Sequence, residues 1–449
     1  MRYSSMLVTA LVVLSGAVFY STSGCSGSKL GSGFDAGNGS GNGTGTGDGN
    51  GSGTGCGTMC IGTGTSSGPG RDAAPIQVCP AGLQCDVACS GGGTTSISGK
   101  VYDPAKKNPL YNVVVYVPAL PIEPLPKGVP TGGDACACGA LYKSGAVVST
   151  ATAVDGSFTL NNVPVGSSVP LIIQVGKWRK VYHVPVTSCQ NNPQADKSLA
   201  FPTTVTAGNT DDSIPDIAVS TGGADTLECL MLRIGLTSSE YVAGPGTSGH
   251  VHIYAGGDQT GFGLGGAPEE PPMPGAPASN TDLWSSQAQM MPYDIVLLSC
   301  EGDETSNANP PALEAYLNAG GRVFASHFHY AWFAGPLGSG QSYSAPADWG
   351  PNLAMWTADQ GLDDSNDIGG VIDQTLNGSN MPFPKGVALD KWLKNVGGLG
   401  QGGVPAAELS IYSPRYNAVV GPSNKPSQPW ITSDPASPQP GSTMYFSFD

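Results

Sequence analysis

What most constrains this chain is where its glycine lies. Of 449 residues, 66 are glycine and 38 proline, roughly a quarter of the chain and near the level of low-complexity sequence. Much of the glycine is packed into "GSGFDAGNGSGNGTGTGDGNGSGTGCGTMCIGTGTSSGPG", Gly31 to Gly70. Such a run cannot bury enough apolar surface to offset the entropy of ordering it, so residues 26–78 are expected to be a disordered, flexible tether. Folded structure is thereby confined to the residues after 78. There Val, Ile, Leu and aromatic residues suffice for real cores, and the length suggests two or three domains.

The formal charge of −15 reflects scarce Lys and Arg rather than abundant acid. The lack of a basic stripe argues against nucleic acid as a partner. The amino terminus, "MRYSSMLVTALVVLSGAVFYSTSGCSGS", has one early arginine and then an apolar run from Met6 to Tyr20. That run is short for a bilayer span and suits the apolar region of a signal peptide. Thr22-Ser23-Gly24-Cys25 resembles a bacterial lipobox, with Thr22 where that motif favours Leu. The resemblance implies a signal peptide over 1–25 and a lipid on Cys25 that would anchor the chain to a membrane. Ser26 in place of Asp then points to the outer membrane; plain secretion is the alternative.

Export gives the 11 cysteines a meaning, because disulfides persist outside the cytoplasm. Cys56, Cys60, Cys79, Cys85, Cys89, Cys136, Cys138 and Cys189 are the disulfide candidates, and residues 79–94 form a Cys-rich segment. A zinc reading of "CGTMC" lacks partners at the right spacing.

From 95 to 190 the pattern is β. "TSISGKVYD" alternates, "YNVVVYV" is a buried strand, and "STATAVDGSFTL" reads as a hairpin turning at Asp155-Gly156. "VPVGSSVPLIIQVGKWRKVYHVPV" reads as two more strands about Gly176. These features predict a small antiparallel β-sandwich. Trp178 stands among Lys177, Arg179 and Lys180, as a contact for a sugar or anion would; alternation also puts Trp178 and Tyr182 on one face, as the edge of a packed core would. "SGKVYDP", "YNVVVYVP", "DGSFTLNNVPVG" and "VPLIIQVGKW" resemble the carboxypeptidase regulatory-like family, a transthyretin-like sandwich, here with an insertion over 119–145. The resemblance implies a non-catalytic accessory module.

After a linker over 191–212, the order strand, helix, strand, strand, helix, strand is expected: "IPDIAVST", "GGADTLECLMLRIGL", "GHVHIY", "PYDIVLLSC", "NPPALEAYLN" and "GRVFASH". This predicts a flavodoxin-like three-layer α/β domain over 213–449 with a parallel sheet. "STMYFSFD" reads as a last strand with no turn after it, as it would in a truncated chain. Ligand sites of such sheets lie beyond the carboxyl ends of the strands. Three loops are therefore expected together: Thr221 to Gly223, Cys300 to Glu304, and Ser326 to His329. Two His-x-His pairs draw attention, His250/His252 and His327/His329, because residues i and i+2 of a strand share a face. Imidazoles beside carboxylates suit zinc or a similar divalent metal. All four histidines are metal candidates, and His327, His329, Asp303 and Glu304 are catalytic candidates, with Glu301 nearby. Strand alternation alone would give the same histidine pattern. Trp332, Trp349 and Trp356 either wall a pocket or pack, and "DDSNDIGG" from Asp363 is either a calcium loop or a turn.

"YDIVLLSCEGDE" and "ALEAYLNAGGRVFASHFH" resemble the class I glutamine amidotransferase-like fold, more closely its trehalose-utilisation-like branch. The family's nucleophilic cysteine does not carry over, since Ser326 and His327 occupy that position without flanking glycines. "FASHF" also lacks the G-x-S-x-G of a serine hydrolase. The sequence thus leans away from an enzyme, toward an exported envelope lipoprotein that binds carbohydrate or another envelope protein, or has a structural role. The alternative is a metal-assisted hydrolase acting on carbohydrate or peptide.

Overall fold

Apolar runs over residues 96–200 fold into two sheets that face each other across one core. The computed structural model describes residues 79–132, 141–246, 248–256, 273–338, 340–358 and 367–448. Cys25 and its lipidation motif, the tether over 26–78, Cys56, Cys60, Cys136 and Cys138 lie outside these residues.

One sheet holds β1 (Ser96–Tyr102), antiparallel to β4 (Ser157–Asn161) and parallel to β7 (Asn191–Pro193) and β8 (Leu199–Ala200). The other has the order β3-β2-β5-β6 and is antiparallel, from β2 (Val114–Pro118), β3 (Ala146–Ala151), β5 (Gly166–Val175) and β6 (Trp178–Val186). Alternate residues meet inside: Ile97, Val101 and Leu160 of the first sheet against Val115, Leu171 and Ile173 of the second.

Two local expectations change. The Asp155-Gly156 turn exists, with Gly156 at φ +75°, but β3 and β4 belong to different sheets and are not a hairpin. The turn is a corner, because Ile97 and the core claim β4 for β1. Residues 191–212, expected as a linker, supply β7 and β8 to the sheet through backbone pairing with β1. The β5–β6 turn at Gly176 stands as expected. Trp178 and Tyr182 pack on the core, and the Tyr182 hydroxyl donates to the Ala200 carbonyl at 2.6 Å.

Among the described residues two disulfides join candidate cysteines, Cys79–Cys85 and Cys89–Cys189. Cys229, outside the expected set, is also disulfide-bonded, whereas Cys300 is a buried free thiol.

The second unit is built on a parallel sheet. β9 (Ile217–Ser220), β10 (Tyr241–Ala243), β11 (Val251–Tyr254), β12 (Ile295–Leu298) and β13 (Arg322–Ala325) lie in the order β10-β11-β9-β12-β13. Each strand is almost fully apolar because helices cover both faces. Ala218, Val296 and Leu298 face α2 (Pro310–Asn318) with its Leu313 and Tyr316, while Ile217, Val219 and Leu297 face α1 (Leu227–Arg233) with its Met231. The start of α2 follows its sequence, with Pro310 and Pro311 in the first turn and the Asn309 side chain accepting the Ala312 N–H at 3.2 Å.

Beyond a short α3 (Tyr330–Ala334), β14 (Met355–Trp356) pairs with β17 (Ala418–Val419). A separate antiparallel sheet has the order β16-β15-β18-β19, from β15 (Ile368–Ile372), β16 (Leu409–Ile411), β18 (Gln428–Ser433) and β19 (Thr443–Ser447), with α4 (Pro384–Val396) against it. The carboxyl-terminal strand therefore exists but joins this sheet rather than the parallel one. Trp332 and Trp349 are core residues, and the Trp356 indole N–H donates to the Gly350 carbonyl at 2.7 Å; these tryptophans pack. Among the described residues no helix is long and apolar enough to cross a membrane.

Candidate functional site

The parallel sheet ends where the sequence places its loops. After β9 the chain enters Thr221-Gly222-Gly223, and Gly222 lies directly against the backbone of Ser299 and Cys300 beyond β12. The N–H groups of Ala224 and Asp225 both donate to the Cys300 carbonyl, at 3.0 and 3.3 Å. This contact seats Asp225 beside Cys300.

After β13 the backbone turns abruptly. Ser326 is still extended, and His327 has φ +45°, a left-handed conformation that few non-glycine residues adopt. A helical turn comes at once. The Ser326 hydroxyl donates to Asp225 Oδ2 at 2.5 Å and accepts the Cys300 N–H at 3.1 Å. One serine thus clasps the other two loops.

The result is a group of three donors of different chemistry. One ligand atom each from Asp225, Cys300 and His327 lies within 4.8 Å of the others; Cys300 is buried and the other two are half-buried. In a tetrahedral zinc site, bond lengths of about 2.0–2.3 Å put neighbouring ligand atoms about 3.3–3.8 Å apart. The group is therefore within about an ångström of one face of such a site. His327 Nδ1 is buried and has no hydrogen-bond partner among the described residues. The Ser326–Asp225 bond orients the carboxylate, as outer-shell partners of metal ligands do. Burial pushes the Cys300 thiol up to about 12, with the N–H groups of Phe328 and Gly302 and the Arg415 guanidinium pulling the other way. Arg415 stacks over the Phe328 ring, 4.6 Å from its centroid. The thiol alone is thus a poor nucleophile, and a cation is what would favour its thiolate.

The other candidates fall elsewhere. His327 and His329 do not share a face, because β13 ends at Ala325 and both lie in the helical turn. His329 points inward: it is 1 % exposed, Nδ1 lies 3.0 Å from the Ser326 carbonyl, and burial lowers its pKa to about 4. Glu304 is consumed by structure, its carboxylate accepting the Tyr330 hydroxyl at 2.5 Å and the N–H groups of Leu337 and Gly338 at 2.7 and 3.1 Å. Asp303 is exposed and accepts the Glu304 N–H. Glu301 is buried beside Gly256. His250 pairs with Glu240 at 2.5 Å and His252 Nδ1 lies 3.0 Å from the Gly244 carbonyl. His250 immediately precedes β11 and His252 lies in its first half, away from the loops beyond the strands. Asp225 and Cys300 are the donor residues that histidine spacing could not find. Their signal was positional, one in the loop after β9 and one immediately after β12.

An open groove of about 440 Å³ lies along Ala334–Pro336 and Gln341–Ala347; Asp225, Cys300 and His327 do not line it. Its Tyr343 hydroxyl is buried and has no hydrogen-bond partner among the described residues. Burial and the carboxylates of Glu304, Glu301 and Asp303 push that hydroxyl's pKa up, so the groove runs beside the acidic loop.

Comparison with protein-family models, with curated proteins and with solved structures finds no match to this chain.

Proposed function

We propose that this chain is an exported cell-envelope lipoprotein whose parallel-sheet unit holds a divalent metal, zinc by donor chemistry, and uses it for hydrolysis. One observation carries the metal reading: Asp225, Cys300 and His327 come from three separate loops and bring one O, one S and one N donor within 4.8 Å. Three protein ligands with a fourth position free is the arrangement of catalytic rather than structural zinc. A metal held there would lower the pKa of a bound water to about 7 and supply hydroxide at neutral pH. The residues' own tasks are then distinct. Asp225, Cys300 and His327 bind, Ser326 fixes the Asp225 carboxylate, and the neutral His329 holds the Ser326 carbonyl. The substrate classes are those the sequence suggests, carbohydrate or peptide.

Three further parts complete the proposal. The facing sheets over 95–190 support a carboxypeptidase regulatory-like accessory module. The order β10-β11-β9-β12-β13 with helices on both faces supports a flavodoxin-like, amidotransferase-like unit without glutaminase chemistry. The lipid anchor and outer-membrane location rest on the lipobox resemblance around Cys25.

The test is metal content of the chain by mass spectrometry, beside Asp225→Asn, Cys300→Ala, His327→Ala and a His250→Ala/His252→Ala pair. Near-stoichiometric zinc is expected in the parent and in the His250/His252 variant, and its loss in the other three. Ester, glycoside and peptide panels then ask whether chelation abolishes turnover. A metal-free parent in zinc-supplemented medium would sink the proposal and leave a binding or structural envelope protein.

A further inference from the structure

The antiparallel sheet of β15, β16, β18 and β19 carries a second feature, unrelated to the three-loop centre. In register, Gly369 of β15 sits opposite Ser410 of β16, and the Asp434 N–H donates to its carbonyl at 2.9 Å from the other side. Side chains at 367 and 369, at 408 and 410, and at 434 therefore share one face. Gly369 has no side chain, and two carboxylates fill the space. A Cβ there would overlap Glu408 Oε2 and lie 2.8 Å from Asp434 Oδ2. Asp367 completes the acidic face, its Oδ2 accepting the Ser410 hydroxyl at 2.6 Å.

Two carboxylates converging on one glycine need something between them. Asp434 is 7 % exposed. Its Oδ1 and Glu408 Oε2 are buried without a hydrogen-bond donor among the described residues. Neither carboxylate is in an ion pair with a described Lys, Arg or His. Buried charge is tolerated when it is paired or coordinates a metal.

We infer that Glu408 and Asp434, with Gly369 as the floor between them, form a binding site for a hard divalent cation of calcium type. The donors are all oxygen, which selects calcium or magnesium over zinc. Calcium is the better fit, since magnesium demands a tighter octahedron and gives up its waters reluctantly. The site lies on a different sheet from Asp225, Cys300 and His327 and does not depend on them.

The test uses the full chain, stripped with EGTA, titrated with calcium alone from about 0.01 to 10 mM, a span that brackets the about 0.1–1 mM affinities of extracellular calcium modules. Calorimetry and thermal midpoint are read together. One saturable site and a rise in midpoint are expected, with magnesium at least tenfold weaker. Glu408→Gln and Asp434→Asn keep the shape and are each expected to weaken calcium at least tenfold. Cys300→Ala is expected to leave the calcium response unchanged, which separates this site from the zinc centre. No calcium heat and no midpoint shift in the parent chain would overturn the inference and leave a carboxyl–carboxylate pair sharing a proton. Calcium binding that survives both substitutions would overturn it as well.

Discussion

The contact of Gly222 with the loop beyond β12 makes the sharpest prediction, because it joins the fold to the site. Gly222 is buried, and a Cβ added to it would meet the Ser299 and Cys300 backbone well under 3.0 Å away. Backbone cannot rotate aside as a flexible side chain can. Gly222→Ala must therefore push the loops after β9 and β12 apart. Overpacking of this kind costs about 1–3 kcal/mol. The same displacement stretches the Ala224 and Asp225 N–H bonds to the Cys300 carbonyl, each worth about 1 kcal/mol. A loss of about 2–4 kcal/mol of stability is expected. Because those bonds seat Asp225 beside Cys300, zinc affinity should fall about 10–100-fold, as it does when ligand-orienting contacts are removed.

Urea unfolding read by tryptophan fluorescence measures the first effect, since Trp284 and Trp332 are buried under this sheet. A chelator competition measures the second. Gly350→Ala is the control: its Cβ would meet open space, and a change within about 0.5 kcal/mol is expected. If Gly222→Ala matches the parent in both assays, the loops are not in contact and the three-ligand geometry fails with them. A destabilised variant with full zinc affinity would show that the contact packs the sheet without positioning Asp225.

Three other substitutions probe the frame around the site. Lys177 and Asp294 form a 2.6 Å ion pair between the β5–β6 turn and the start of β12, both side chains 8 % exposed. Lys177→Met strands a carboxyl that burial already pushes up, so denaturant unfolding should show a loss of about 3–5 kcal/mol. The Cys89–Cys189 bridge spans 100 residues and Cys79–Cys85 spans 6. On chain entropy, replacing the first pair with alanine should cost about 4–5 kcal/mol and the second about 2, read by urea midpoints. Glu240 is the pH probe. Burial alone would raise its carboxyl, but His250, Thr204 and the Val205 N–H outweigh it and hold it below the usual range. Its contribution is present above about pH 4.3, the ordinary glutamate value, and is lost as pH falls through the lower folded value. Glu240→Gln should therefore be less stable at pH 6, with a gap to the parent that narrows in acid.

How much of the fold is legible in the sequence depends on what each segment answers to. "IPDIAVST" and "PYDIVLLSC" declare buried strands because helices cover both of their faces. β10 is invisible, since Tyr241–Ala243 has three residues and no alternation, and only pairing with β11 makes it a strand. Asp155-Gly156 is legible as a turn but not as a corner between sheets. Turn chemistry is local, whereas the partner of β4 is chosen by a core that includes residues about 60 positions away. Residues 191–212 look like a linker because Asn, Gln and Asp crowd them. Their strand pairing is backbone to backbone, which side-chain composition does not report.

The site divides along the same line. Its location follows from topology. The chain after β9 leaves for the face where α1 carries Met231, and the chain after β12 leaves for the face where α2 carries Leu313. Neighbouring strands whose exits diverge open a crevice between their carboxyl ends, and β9 and β12 are neighbours. Only loops entering that crevice can meet, so the three expected loops had to converge. The identity of the three donors follows from something sequence spacing cannot supply. A shared face for His-x-His requires β13 to continue through residue 329, and it stops at Ala325 because the left-handed His327 starts a helical turn. That turn sends His327 to the crevice and His329 into the core, so the pair splits. Asp225 reaches the same point only because Gly222 lets two backbones touch. A glycine with the look of a flexible turn is instead a point where two backbones touch in the crevice, and that is why Gly222, rather than either histidine, is the residue to change first.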